Sequence, residues 1–233
     1  MSAAGFEGFS KKTLEFFDQL IRNNNKQWFD SHRDDYEEYV LAPARSFVLA
    51  LGDKLIKIAP GIQADPRVNK SMFRINRDTR FSNDKTPYKT HMGLWFWDGP
   101  GKRMENSGFY FQLDPQGIML GSGLYCLTKE QMDFYRQSVV DPKHGPALIR
   151  AVNKVQKAGF EIGGRHYKKT PRGFDPQHKN AEYLLYNGLY AGLRVVPPPK
   201  ELYSEKLVGY CFERYKKILP LHQWLRALTE RIG

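Results

Sequence analysis

The first 60 residues alternate apolar and polar positions with the period of an α-helix. Apolar residues three and four positions apart predict a helix over residues 11–22, for which Ser10 is the expected N-cap. A second helix should start at Asn25, and Pro43 should kink or divide it because proline removes a backbone donor. The stripe then resumes, so residues 10–60 are predicted to form a helical layer.

From about residue 68 the period changes from 3.6 to two, which is typical of antiparallel strands separated by tight turns. The short runs between the turns are rich in Phe, Tyr, Trp and Leu. Four strands are predicted, over residues 71–78, 91–97, 107–113 and 117–125. The sheet is therefore expected within residues 68–126.

Helical patterns return in the second half of the chain. They cover residues 128–140, 144–158, 180–187 and 203–218, with a last helix from about 221 after Pro220. A basic loop (163–179) and a proline-rich connector (195–200) separate them, so helices and the basic loop fill residues 128–232. Without repeats or low-complexity segments, residues 1–233 are predicted to be one α+β domain, an antiparallel four- to five-stranded sheet packed against N- and C-terminal helices.

The alternation also assigns side chains to the two faces of the sheet. One face is apolar and should be covered by helices. The other carries alternating glycines, which leave a shallow trough floored by Gly93, Gly121 and Gly123, beside Trp95 and Tyr110. Either the trough binds a flat or phosphate-bearing ligand, or it is a second core covered by the C-terminal helices.

One stretch, FRINRDTRFSNDKTPYKTH (residues 73–91, the signature stretch), concentrates charge between apolar neighbours. Alternation places Arg77 on the apolar side, where a guanidinium needs a carboxylate. Asp78 and Asp84 are the nearby candidates, so these three residues are predicted to form structural ion pairs that fix a loop.

That pairing leaves positive charge over. The signature stretch has five basic residues, Arg74, Arg77, Arg80, Lys85 and Lys89. It has only two acids, so at least three of these cations lack a local partner. The basic loop adds five more against Asp175. Two such segments on one surface would form an anion site, but the sequence does not decide whether they meet.

The signature stretch with its next two residues, FRINRDTRFSNDKTPYKTHMG, resembles that of a widespread bacterial and fungal family known as domain of unknown function 2461. Three more segments are similar to its other landmarks: NNNKQWFDSHRDDYE, KKTPRGFDPQHKNAEYLL and FERYKKILPLHQWL. The resemblance covers nearly the whole chain and implies a single self-contained domain; it implies no reaction. Asn76 and Asn83 depart from the family pattern, which commonly has an aromatic residue and a lysine there.

Composition bounds the remaining possibilities. The net charge of +11 permits attraction to nucleotides, nucleic acid or acidic proteins without choosing among them. Cys126 and Cys211 lie far apart, which favours a reducing cytoplasm over a disulfide framework. No apolar run is long enough for a signal peptide or a membrane span. The usual hydrolase, kinase and dinucleotide motifs are missing, no spacing predicts a metal site, and no cofactor is indicated.

The preferred hypothesis is a site for a phosphate-bearing or other anionic ligand, with a nucleotide as one option. Its predicted ligand-binding residues are Arg74, Arg80, Lys85, Lys89, His91, Trp95 and Tyr110. If the protein is an enzyme, Asp78 or His91 would be the acid or base, although the sequence does not establish catalysis. Two alternatives stay open: a nucleic-acid binding module, and a structural or interaction protein whose charged stretch only stabilises the fold. The oligomeric state is not indicated.

Overall fold

A computed structural model describes residues 5–232. The N-terminal helical layer consists of α1 (Lys11–Arg22), α2 (Lys26–Ser31), α3 (Arg33–Tyr36) and α4 (Ala42–Leu55). Ser10 precedes α1 without a side-chain capping bond, whereas the Asn25 side chain accepts the Trp28 N–H and caps α2. Pro43 does not divide a helix: it lies in the first turn of α4, where a missing N–H costs little, and a π-helical segment (Glu37–Leu41) leads into it.

The sheet has six antiparallel strands in the order β1-β2-β3-β4-β6-β5. Their bounds are β1 (Ile62–Gln63), β2 (Met92–Asp98), β3 (Gly108–Asp114), β4 (Gly117–Leu124), β5 (Glu161–Arg165) and β6 (Tyr186–Val195). The α+β fold class is confirmed, with more strands than expected. The added strands come from the second half of the chain, so the sheet is not confined to residues 68–126.

Three helices complete the fold: α5 (Lys129–Val140), α6 (His144–Lys157) and α7 (Lys206–Glu230). The predicted break at Pro220 is wrong, because α7 runs through that residue without interruption. The predicted helix over residues 180–187 is also wrong: a 3-10 segment (Ala181–Leu185) is followed directly by β6. Further short 3-10 segments are Arg103–Glu105 and Lys200–Tyr203.

The predicted strand over residues 71–78 is wrong as well. Isolated bridges form there instead: Val68 with Met72, Met72 with Leu94, and Asn76 with Tyr88. Residues 71–73 lie beside β2, since Phe73 donates its N–H to the Gly93 carbonyl and Trp95 donates its N–H to the Ser71 carbonyl. The Asn76–Tyr88 bridge joins two parts of the signature stretch, and Lys89 donates its N–H to the Ile75 carbonyl at 2.8 Å. The start of this segment therefore follows β2, and the rest pairs within the signature stretch.

One face of the sheet is the main hydrophobic core, as the alternation predicted. Its apolar residues on β3 and β4, among them Phe109, Phe111 and Leu120, are fully buried. Helix α7 packs against β4 there, and the Tyr215 hydroxyl donates to the Tyr110 carbonyl at 2.7 Å. Across residues 5–232, the helices are all too short or too polar to cross a lipid bilayer.

Candidate functional site

The opposite face of the sheet is open and holds a cavity of about 580 Å³. Gly93, Gly121 and Gly123 contribute to its floor, so this cavity is the trough. Within residues 5–232 no α-helix contributes to its lining, whereas a covered second core would need one. Strand register explains the shape, because Gly121 pairs with Tyr110 on one side and with Gly192 on the other, leaving a side-chain-free band between taller neighbours.

Aromatic side chains form the two walls of the trough. On the β2–β3 side Trp95 pairs with Tyr110 across the strands, and the Trp95 indole donates to the Arg103 carbonyl at 2.9 Å. On the other side Tyr125 stacks with Tyr190 at a centroid distance of 5.4 Å and an interplanar angle of 29°. The Tyr125 side chain is 70% exposed, so it is free to contact a bound molecule.

A hydrogen-bonded chain fixes the Tyr110 wall. The Tyr110 hydroxyl donates to Gln112 Oε1 at 2.9 Å, and the Gln112 amide donates to Asp114 at 3.1 Å. Arg194 then holds Asp114 through two bonds of 2.6 Å. Burial, with a smaller contribution from Asp114, raises the pKa of Tyr110 to about 12, so the hydroxyl keeps its proton at neutral pH.

The same series of hydrogen bonds controls the ionisation of Asp114. Burial alone would raise the pKa of this carboxyl, but hydrogen bonds from Arg194 and Gln112 outweigh it and bring the pKa below the usual range. Asp114 is therefore ionised and already neutralised by Arg194. This corner of the sheet therefore holds Tyr110 rigidly in place and has no unpaired charge to offer a ligand.

Lys89 and His91 supply the polar end of the trough. The Lys89 ammonium donates to the Arg74 carbonyl at 2.8 Å and lies 5.5 Å from the centre of the Phe73 ring. Within residues 5–232 no carboxylate pairs with it. Burial, followed by the charge of Lys89, lowers the pKa of His91, so its imidazole is mainly neutral at pH 7.

The structure brings together four of the seven predicted ligand-binding residues: Lys89, His91, Trp95 and Tyr110 line the trough. The other three, Arg74, Arg80 and Lys85, are exposed outside it. Arg80 holds Asp78 at 2.6 Å, and Lys85 donates to the Thr79 carbonyl at 2.9 Å.

The ion pairs of the signature stretch differ in detail from the predicted lattice. Arg77 contacts Asp84 at 2.5 Å and also the Thr86 side chain, but its own side chain is 25% exposed and is not in the core. Asp78 pairs with Arg80 on the surface and does not reach the trough. Of the two acid or base candidates, only His91 lies in the cavity.

The two basic segments do not converge. Residues 74–91 lead into Met92, whose row across the sheet contains Leu113, Ile118 and Val195. The basic loop leaves β5 at Arg165, which is on the far edge strand and at the other end of the strands. They therefore lie at diagonally opposite corners of the sheet.

A second polar cluster lies under the sheet, and sequence reasoning missed it. His222 on α7 contacts Ser107 through Nδ1 and Asp98 through Nε2, both at 2.9 Å, and Arg226 reaches Asp98 at 3.3 Å. Ser107, His222 and Asp98 are at most 2% exposed. The residue types match a serine hydrolase triad, but the burial of the serine denies a substrate access, so the cluster joins α7 to the sheet. In the sequence, the one sign of this cluster was the acidic residue Asp98 at the end of an apolar strand.

The described residues contain no cluster of three or more His, Cys, Asp or Glu side chains that could hold a metal ion. The polar side chains at the trough are instead Lys89, His91, the phenols of Tyr110, Tyr125 and Tyr190, and Ser122, whose hydroxyl donates to the Gly108 carbonyl. Chemistry at this site would therefore start from an ammonium or amine, a neutral imidazole and a protonated hydroxyl.

A family described as "conserved hypothetical protein (DUF2461)" matches residues 12–224. The chain belongs to this family. The DUF2461 match includes every residue that lines the trough and also the buried Ser107–His222–Asp98 cluster. The family resemblance predicted from the signature stretch is thus confirmed. No curated protein matches the sequence of this DUF2461 member.

Proposed function

We propose that the trough binds a small, flat and mainly apolar molecule that carries one anionic group. The observation that supports this most directly is the open cavity of about 580 Å³ between aromatic walls, with Lys89 at one end and no carboxylate to neutralise it among residues 5–232. An aromatic ring would stack between Trp95 and Tyr125. The anionic group would approach the Lys89 ammonium and accept hydrogen bonds from it.

The charge distribution favours one anionic group over a polyphosphate. Arg77 and Arg80 each hold an aspartate, and Arg74 and Lys85 are exposed outside the cavity. Only Lys89 among the cations of the signature stretch lines the trough. A ligand with several negative charges would therefore meet one cation inside the trough, with Arg74 and Arg103 beyond its polar end, and a largely apolar wall, which penalises its desolvation.

Thermal-shift measurements with a graded ligand set test the proposal. The set comprises 2-naphthoate, nucleoside monophosphates, sugar phosphates and polyphosphate. At about 0.3 kcal/mol per non-hydrogen atom, 2-naphthoate should bind with a Kd on the order of 1 mM. At ten times Kd the stabilisation is about 1.4 kcal/mol, or roughly 3 to 5 °C in Tm. No shift with any aromatic acid, or a larger shift with polyphosphate, would contradict the proposal.

A variant of Tyr125, in the wall opposite Trp95, distinguishes an effect on ligand binding from an effect on folding. Tyr125→Ala should weaken 2-naphthoate binding about 5- to 10-fold, because it removes one stacking partner worth about 1 kcal/mol. Tm without ligand should stay unchanged, since Tyr125 is 70% exposed. Tyr203→Ala removes another exposed tyrosine outside the trough and is the matched control. Equal affinities for the two variants would place the ligand elsewhere.

The two unpaired cysteines agree with a reducing compartment, and we propose the cytoplasm as the place of action.

A further inference from the structure

We propose, resting on the ligand site above, that the Lys89 amine forms an imine with flat apolar aldehydes or ketones held in the trough. Binding of an anion and condensation with a carbonyl use the same nitrogen in its two protonation states. The inference therefore adds a covalent reaction and a substrate class to a site that otherwise only binds.

The position of the nitrogen is the first argument. Lys89 lines the cavity, and its ammonium lies 5.5 Å from the Phe73 ring centre. Within residues 5–232, the one hydrogen bond of this ammonium goes to the Arg74 carbonyl. A carbonyl acceptor does not hold a lysine in its charged form as firmly as a carboxylate does. Because Lys89 lines the trough, the amine that results on deprotonation is inferred to be within reach of a ligand held there.

The surroundings also favour the neutral amine. Burial, then the charges of Arg74 and Arg103, lower the pKa of Lys89 below that of an ordinary lysine. Desolvation and neighbouring cations are the two ways in which proteins activate lysine as a nucleophile for carbonyl compounds. His91 lines the same cavity, and its mainly neutral imidazole can accept a proton and return it.

The reaction balances without an oxidant or reductant. The Nζ lone pair attacks the carbonyl carbon, a C–N bond forms, and the C=O π electrons move to oxygen, which takes up a proton to give a carbinolamine. The nitrogen loses a proton, for which His91 is the acceptor in the cavity. His91 returns that proton to the hydroxyl, the C–O bond breaks as water leaves, and the nitrogen lone pair forms the C=N bond of an iminium ion. Loss of the remaining N–H proton to solvent gives the imine. Amine and carbonyl thus become imine and water.

Lys85 provides an internal comparison. It lies four positions before Lys89 and makes the same kind of bond, from its ammonium to the Thr79 carbonyl at 2.9 Å. It is exposed and outside the trough. A difference in reactivity between the two lysines is therefore due to the location of Lys89 in the trough and not to its hydrogen bond.

The test treats the intact protein with 2-naphthaldehyde and sodium cyanoborohydride, which reduces the imine to a stable amine, and maps the product by peptide mass spectrometry. Initial labelling of Lys89 should be at least about 10-fold faster than that of Lys85, in line with about 1.4 kcal/mol of differential activation. Lys89→Arg should abolish the fast phase, and Lys85→Arg should leave it unchanged. Equal labelling of the two lysines, or fast labelling that survives in Lys89→Arg, would overturn the inference.

Competition with 2-naphthoate separates this inference from the proposed function. The acid cannot form an imine, but it should occupy the trough and suppress fast labelling. If the acid binds while Lys89 shows no preference, the imine inference is wrong and the binding site stands. If neither the acid nor the aldehyde interacts, both are wrong. Fast labelling that the acid does not suppress also overturns the inference, because the amine then reacts outside the trough.

Discussion

At the scale of single residues, the cations of the signature stretch differ in what surrounds them. Arg77 and Arg80 each have an aspartate, and Lys85 has a carbonyl on the surface. Lys89 alone among these lies against a cavity. The sequence predicted an excess of positive charge, but the choice of partner depends on how the loop folds back on itself. Position relative to the sheet decides which cation is available to a ligand.

The ion pair between Asp78 and Arg80 on the surface predicts how the protein responds to low pH. Hydrogen bonds from Arg80 lower the pKa of Asp78 to about 2, against an unfolded value near 3.9. Because the folded pKa is the lower one, the stabilisation is complete above about pH 4 and is lost as pH falls towards 2. An NMR titration of the Asp78 carboxyl carbon should show a midpoint near 2. A midpoint near 3.9 would mean that the pair does not form in solution.

The buried Asp98 predicts a large effect on stability. Asp98→Ala leaves His222 and Arg226 facing an empty acceptor position, which should lower the free energy of unfolding by about 3 to 5 kcal/mol. Chemical denaturation measures the change. Asp18→Ala is the control, since the exposed Asp18–Arg22 pair should contribute less than about 1 kcal/mol. A loss no larger than the control's would show that the cluster does not hold α7 to the sheet.

At the scale of elements, the long strands could be predicted and the short or glycine-rich ones could not. Strands β2, β3 and β4 carry large apolar side chains at alternating positions, and these positions were correctly assigned to the core face. The segment YNGLYAGLRV of β6 has glycines at the trough and mixed neighbours, and its period is obscured. Residues 71–78 do alternate, but their backbone hydrogen bonds are divided between β2 and the other half of the signature stretch, which no local pattern reveals.

Two glycines of the sheet predict opposite outcomes for the same substitution. A Cβ at Gly108 would lie 2.0 Å from the Phe96 carbonyl oxygen, so Gly108→Ala should force two strands apart and cost about 1 to 3 kcal/mol or more. A Cβ at Gly192 would meet the mobile end of Met119 at 2.8 Å, and Gly192→Ala should cost less than about 1 kcal/mol. Denaturant unfolding of both variants decides, and equal losses would contradict the strand packing described above.

At the scale of the whole molecule, the two basic segments that contribute to the net charge of +11 lie apart and do not concentrate positive charge at one site. The signature stretch and the basic loop lie at opposite corners of the sheet, and the trough between them is mainly aromatic. Alternating glycines and aromatics in the sequence were enough to predict the trough. Whether helices would cover it, and which cations would reach it, depended on contacts between distant segments, such as the pairing of β6 with β4.

The most direct measurement of the central claim is an amide NMR titration of the intact protein with 2-naphthoate. A ligand in the trough should shift the amide signals of Gly93, Gly121 and Gly123 with one common Kd, on the order of 1 mM. The amides of residues 78–86 and of the basic loop should move little. Saturable shifts confined to those loops, or no shifts at millimolar ligand, would contradict the account.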